Sequence, residues 1–164
     1  MTDTNTDTDM TSDFLIYNIL KSSDDDFISK CNVKFIDKSV PAQEDNTIYV
    51  ANVDLETSSE TFEDYEYRAL VNIYVKTKDT NYVKGSRFLR TVVKHIKNEL
   101  KSNNTCKERF IRFRNTTYEY GSEYTLKGLH LLVQMKEYES KDVNDDDYYS
   151  CVNINDDNLE FDTE

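Results

Sequence analysis

The sequence predicts an α+β fold, a mainly antiparallel sheet of four to five strands with two helices packed on one face. Three observations carry that prediction. Tyr82 to Lys101 places Phe88, Leu89, Val92, Val93, Ile96 and Leu100 on one face of a helix. Tyr65 to Lys78 alternates with period two, Tyr65, Tyr67, Ala69, Val71, Ile73 and Val75 pointing one way and Arg68, Asn72 and Lys76 the other. The element order, strands interrupted by one long helix and followed by more strands, suggests an antiparallel sheet with both helices on one face.

In chain order, MTDTNTDTDMTSD is polar and acidic, and residues 1–12 are expected to be a disordered tail. Ser12 or Asp13 is a candidate cap for a helix through FLIYNILKS, with Phe14, Leu15, Tyr17, Ile19 and Leu20 as its apolar face. Asp24-Asp25-Asp26 reads as a loop or helix cap. Residues 32–40 alternate as a short strand that stops before Pro41, the only proline, and PAQEDN reads as a turn. TIYVANVDLE is a second strand with Tyr49, Ala51, Val53 and Leu55 on one face, and TSSETFED reads as a loop.

The Tyr65–Lys78 strand then pairs with its predecessor as an antiparallel hairpin. Asp79, Thr80 and Asn81 supply turn and cap residues for the long helix; Gly85 within its first turns either weakens it or lets a strand approach closely. After SNNTCKE ends the helix, RFIRFRNTTYEYGSEYTLKGLHLLVQMKEYE forms a second hairpin. Its turn is Gly121-Ser122, and Leu129, Leu131, Val133 and Met135 share a face. The expected organisation is one domain over residues 13–139 and an acidic extension over 140–164.

Charge is strongly segregated. Net charge is -12, yet residues 1–67, 68–114 and 115–164 carry -12, +10 and -10. Such a chain is a poor general binder of nucleic acid, because phosphates repel it at long range, but a local basic face can meet an acidic protein or another copy of itself. On the long helix Lys84, Arg87, Arg90, Lys94, Lys97 and Lys101 form a stripe that only Glu99 interrupts, continued in sequence by Lys107, Arg109, Arg112 and Arg114. The twelve tyrosines suit half-buried sheet faces and protein interfaces.

Catalytic and metal chemistry find little support. The two histidines, His95 and His130, sit in no ligand spacing, and read as a solvated helix position and a cross-strand residue. Three glycines allow no phosphate loop and no nucleophile elbow, and the acidic runs lack the spacing of a calcium loop. The expectation is a protein that is not an enzyme and binds no cofactor or metal. Cys31, Cys106 and Cys151 are far apart and read as free thiols. With no basic-then-apolar start and no stretch of roughly 20 apolar residues, the chain is expected to be soluble, intracellular where it is made, and without a membrane partner.

The element order resembles the tail terminator, or tail-to-head joining, proteins of long-tailed viruses. The resemblance rests on DFLIYNILKS, on YEYRALVNIYVKTKD running into NYVKGSRFLRTVVKHIKNEL, and on the IRFRNTTYEYGSEYTLKGLHLLVQMKEYE hairpin. It implies a virion protein made in the host cytoplasm. Six copies would form a ring that caps the tail tube at the tail-head junction, with the tube protein and the head connector as partners. On that reading Lys84, Arg87, Arg90, Lys94, Lys97, Lys101, Arg112 and Arg114 are interface residues, and the acidic segments of one copy meet the basic helix of the next. The alternative is a nucleic-acid-associated protein using the basic helix 82–101.

Overall fold

A computed structural model describes residues 10–36 and 46–141. The predicted disordered tail before Met10, the 37–45 part of the first strand and turn, and the acidic extension from Asp142 onward lie outside the described residues. The elements are α1 (Ser12–Lys21), β1 (Asn32–Phe35), β2 (Thr47–Glu60), β3 (Asp64–Lys76), α2 (Tyr82–Ser102), α3 (Asn104–Glu108), β4 (Arg112–Tyr120) and β5 (Leu126–Ser140). A 3-10 turn at Ser122–Tyr124 joins β4 to β5. The strands form one sheet in the order β1-β2-β3-β5-β4, antiparallel except for the parallel β1–β2 pair. This is the α+β architecture the sequence predicts.

Alternation builds the sheet's inner face. Val71, Ile73 and Val75 of β3 and Leu129, Leu131 and Val133 of β5 are buried, and pair across the strands as Val71–Val133, Ile73–Leu131 and Val75–Leu129. Leu89, Val92, Val93, Ile96 and Leu100 of α2 close over them, joined by Leu15, Ile16 and Leu20 of α1 in the same core. Both helices therefore lie on one face.

Several expectations are corrected. The cap of α1 is Thr11, whose carbonyl accepts from the Leu15 N–H at 2.9 Å, and Ser12 is fully buried inside the helix. The face of α1 centres on Ile16, whereas Phe14 is exposed and leans on Phe35 at 4.8 Å between ring centroids. The residues of β2 that face the core under the helices are Ile48 and Val50, while Tyr49, also buried, packs beside Tyr74 on the other face. A register shift between Asn52 and Asp54 then turns Leu55 to the inner side opposite Ala69, so Tyr49 and Leu55 end on different faces.

TSSE is strand, not loop, because β2 runs on to Glu60, paired with Tyr65. Only Thr61–Glu63 turns, closed by the Thr61 N–H on the Asp64 carbonyl at 2.8 Å. The short α3 was unforeseen. Asn103 has extended backbone that ends α2, and its Oδ1 accepts from the Cys106 N–H at 3.0 Å to start α3. Phe110, at φ 54°, then reverses the chain into β4.

Candidate interaction surface

The α2 helix carries most of the predicted site and is fixed at its N-terminus. Asn81 Oδ1 caps it by accepting from the Lys84 N–H at 3.1 Å. Gly85 allows close approach: a Cβ there would lie 2.5 Å from the Asp79 carbonyl oxygen and 2.8 Å from a Leu126 methyl. With the apolar stripe seated on the sheet, Lys84, Arg87, Arg90, Lys94 and Lys101 are exposed and Lys97 is half-buried.

The stripe flanks β4. Arg90 Nε donates to the Tyr118 hydroxyl at 2.5 Å, and the guanidinium carbon lies 5.7 Å from the ring centroid. That hydrogen bond raises the Arg90 pKa further, so its charge is permanent. Lys97 and Lys101 place their ammonium groups 5.7 Å and 5.5 Å from the Phe113 centroid. Tyr118 also neighbours Tyr82 at 6.4 Å and Tyr120 at 6.2 Å, a tyrosine cluster around one arginine. Lys84, Arg87 and Lys94 make no ion pair among the described residues.

Arg112 and Arg114 do not join this stripe. Arg112 pairs with Gln134, whose side lies away from the helices, and both arginines line shallow concavities on that outer face, of 550 Å³ beside Arg112 and 430 Å³ beside Arg114. Nearby charges satisfy each other there, Arg68 with Glu56 and Lys136 with Glu66 at 3.0 Å. Further along the same face His130 stacks on Tyr74 at 4.3 Å, with Nδ1 3.0 Å from Asn72 Nδ2 and Nε2 3.2 Å from Glu119 Oε2. His130 thus has the expected cross-strand place. Burial, helped by the Glu119 hydrogen bond, pushes the Tyr74 phenol well up.

His95 departs from expectation. It is half-buried, its Nδ1 2.6 Å from Asp25 Oδ2, and its ring lies 4.5 Å from that of Phe27. The acidic run is a cap, as Asp25 Oδ1 accepts from the Phe27 and Ile28 N–H groups at 2.8 and 3.1 Å. Burial alone would raise the Asp25 carboxyl; His95 and these N–H groups outweigh it and hold the carboxyl below its ordinary value. Cys31 and Cys106 are free and buried, and burial pushes each thiol up to about 11.

The feature sequence reading missed lies at the far end of the sheet. From Asp54 to Glu60, β2 runs exposed beside the start of β3, where Asp64 pairs with Ser140 of β5. Glu60 binds Lys141 at 2.6 Å, and Tyr67 donates to Glu139 at 2.7 Å, which pushes its phenol up to about 12. Asp54, Glu63 and Asp64 have no ion pair among the described residues, while Val53, Leu55 and Phe62 are 58%, 47% and 54% exposed. This acidic ribbon end is separated from the Tyr82–Arg90 end, where Lys76 pairs with Gly128, by the length of β3, ~40 Å.

Among the described residues no group of His, Cys, Asp and Glu is arranged to hold a metal, and no helix is long and apolar enough to cross a membrane. No protein-family model matches the chain, and no curated protein matches it.

Proposed function

We propose that the chain is a structural virion protein, a tail terminator whose copies close into a ring, six by the resemblance, that caps the tail tube and joins it to the head connector. One observation carries the reading: an acidic ribbon end and a cationic, tyrosine-rich end sit on opposite ends of one rigid sheet. Surfaces that far apart cannot satisfy each other within one copy. Unlike surfaces on the same chain make a heterologous contact, which generates a ring when the rotation closes. The helices also cover the apolar inner face of the sheet.

Light scattering on a sizing column and negative-stain imaging, across protein concentration and salt, test the reading. Closed rings that loosen with salt are expected. The second test adds the protein to polymerising tube protein, where tubes of limited length with one capped end are expected. The absence of both rings and capped tubes would sink the proposal.

The nucleic-acid reading draws on a different observation, the Tyr82, Tyr118 and Tyr120 cluster beside Arg90, because aromatic rings and guanidinium planes stack on unpaired bases. It requires salt-sensitive binding of a fluorescent oligonucleotide that the triple change Arg87→Glu, Arg90→Glu and Lys94→Glu abolishes. Absence of binding at low salt removes it.

A further inference from the structure

We infer that neighbouring copies meet end to end, the acidic tip of the β2–β3 ribbon of one copy seating on the cationic, tyrosine-rich end of the next. The inference rests on the ring reading and names its contact. Each end pairs apolar exposure with charge mainly of one sign that makes no ion pair among the described residues, Asp79 and Glu123 being the carboxylates at the cationic end. At the ribbon tip these are Val53, Leu55 and Phe62 with Asp54, Glu63 and Asp64.

At the other end Tyr82, Val83 and Tyr120 are 52%, 63% and 44% exposed beside Lys84, Arg87 and Arg90. Tyr124 adds to them, 90% exposed on the β4–β5 turn. Both Glu123 and Tyr124 have positive φ, 57° and 56°, in a turn closed by the Gly121 N–H on the Thr125 carbonyl at 2.7 Å. Left-handed backbone at two successive non-glycine residues is a strained arrangement, and here it holds a tyrosine out into solvent. Exposed tyrosine and arginine around a central packed pair such as Arg90–Tyr118 are the usual anchors of protein interfaces.

Strand addition is the competing way for copies to join, because β2 beyond Val50 and β4 are both outer strands. Each carries a register irregularity, at Asn52/Asp54 and Thr57/Ser59 in β2 and at Phe113/Thr116 in β4. Such bulges twist an edge away from a would-be partner. Side chains at the ends, opposite in charge, are left to make the contact.

Charge swapping tests this directly. One variant carries Glu63→Lys and Asp64→Lys, the other Lys84→Glu and Arg87→Glu; all four side chains are exposed and make no ion pair among the described residues. By sedimentation velocity at low salt each variant alone is expected to lose self-association by about tenfold or more, and their equimolar mixture to regain it to within about threefold of the unaltered protein. Tyr124→Ser, which leaves every charge in place, is expected to weaken association as well. If the unaltered protein assembles and both double variants assemble equally well, the end-to-end contact is wrong while the ring stands. Loss in both without rescue in the mixture also overturns the pairing. An unaltered protein that stays monomeric at every concentration overturns this contact, and the ring falls with it if added tubes are left uncapped as well.

Discussion

Gly85→Ala sets two effects of opposite sign against each other. Alanine is favoured over glycine in a helix interior by about 1 kcal/mol, so an exposed helical glycine would be improved by the change. Gly85 is the fourth residue of α2 and buried, and the new Cβ would meet the Asp79 carbonyl oxygen at 2.5 Å and Leu126 Cδ2 at 2.8 Å. The leucine methyl can swing aside. The carbonyl is backbone, and its residue is tied on both sides: the Asp79 N–H donates to Thr77 Oγ1 at 3.1 Å, and Asp79 Oδ1 accepts from the Asn81 N–H at 3.0 Å.

Moving that carbonyl disturbs the cap of α2, and overpacking of this kind costs about 1–3 kcal/mol plus whatever cap is lost. The clash wins, and a net loss of about 1–2 kcal/mol is expected, or roughly 3–8 °C in Tm for a domain of this size. Urea unfolding followed by circular dichroism measures it, with Asn98→Ala as control. Asn98 is an exposed residue of the same helix, where propensity alone predicts a gain of about 0.5 kcal/mol. If Gly85→Ala raises the midpoint as the control does, the close approach of the helix start to the Asp79 carbonyl is wrong.

Asp25→Ala removes both the cap over Phe27 and Ile28 and the partner of His95, and is expected to cost about 2 kcal/mol at pH 7 by urea midpoint. The Asp25 carboxyl is held below its ordinary value of 3.8, so its charge stabilises the fold above that value and the contribution is lost as pH falls through the lower, folded one. The gap between variant and parent should therefore narrow near pH 3, and a gap that stays constant contradicts the pairing. Leu131→Ala, fully buried in β5, should cost about 2–5 kcal/mol, whereas Leu55→Ser on the ribbon should stay within about 0.5 kcal/mol. In a Cys151→Ser background, Cys31 and Cys106 should resist a thiol reagent at pH 8 until urea unfolds the chain; rapid labelling of the native protein would contradict their burial.

Periodicity made β3, β5 and α2 legible because each is long and buries one face only, so the pattern in the letters is the pattern in space. It failed on β2 for a physical reason. The bulge after Asn52 changes which residues point inward, and Thr57–Glu60, a polar stretch lying past the core, has no apolar alternation to betray a strand. The cations of the candidate site were readable, since a helical wheel needs only sequence. Their company was not. Tyr118 reaches Arg90 from the β4 hairpin, Asp25 reaches His95 from seventy residues away, and the outer-face position of Arg112 and Arg114 depends on pairing with Gln134. Only the folded sheet brings those pairs together.

The order β1-β2-β3-β5-β4 puts the last of the described strands inside the sheet, between β3 and β4, with Asp64 waiting for Ser140 and Lys76 for Gly128. During synthesis β3 is therefore made early and flanked on one side only, its Val71, Ile73 and Val75 row lacking neighbours until the final hairpin arrives. Pairings so distant in sequence form slowly, and an unpaired apolar strand is open to wrong partners in the meantime. A ribosome that stops before Leu126 thus releases a sticky half-sheet instead of a smaller working domain.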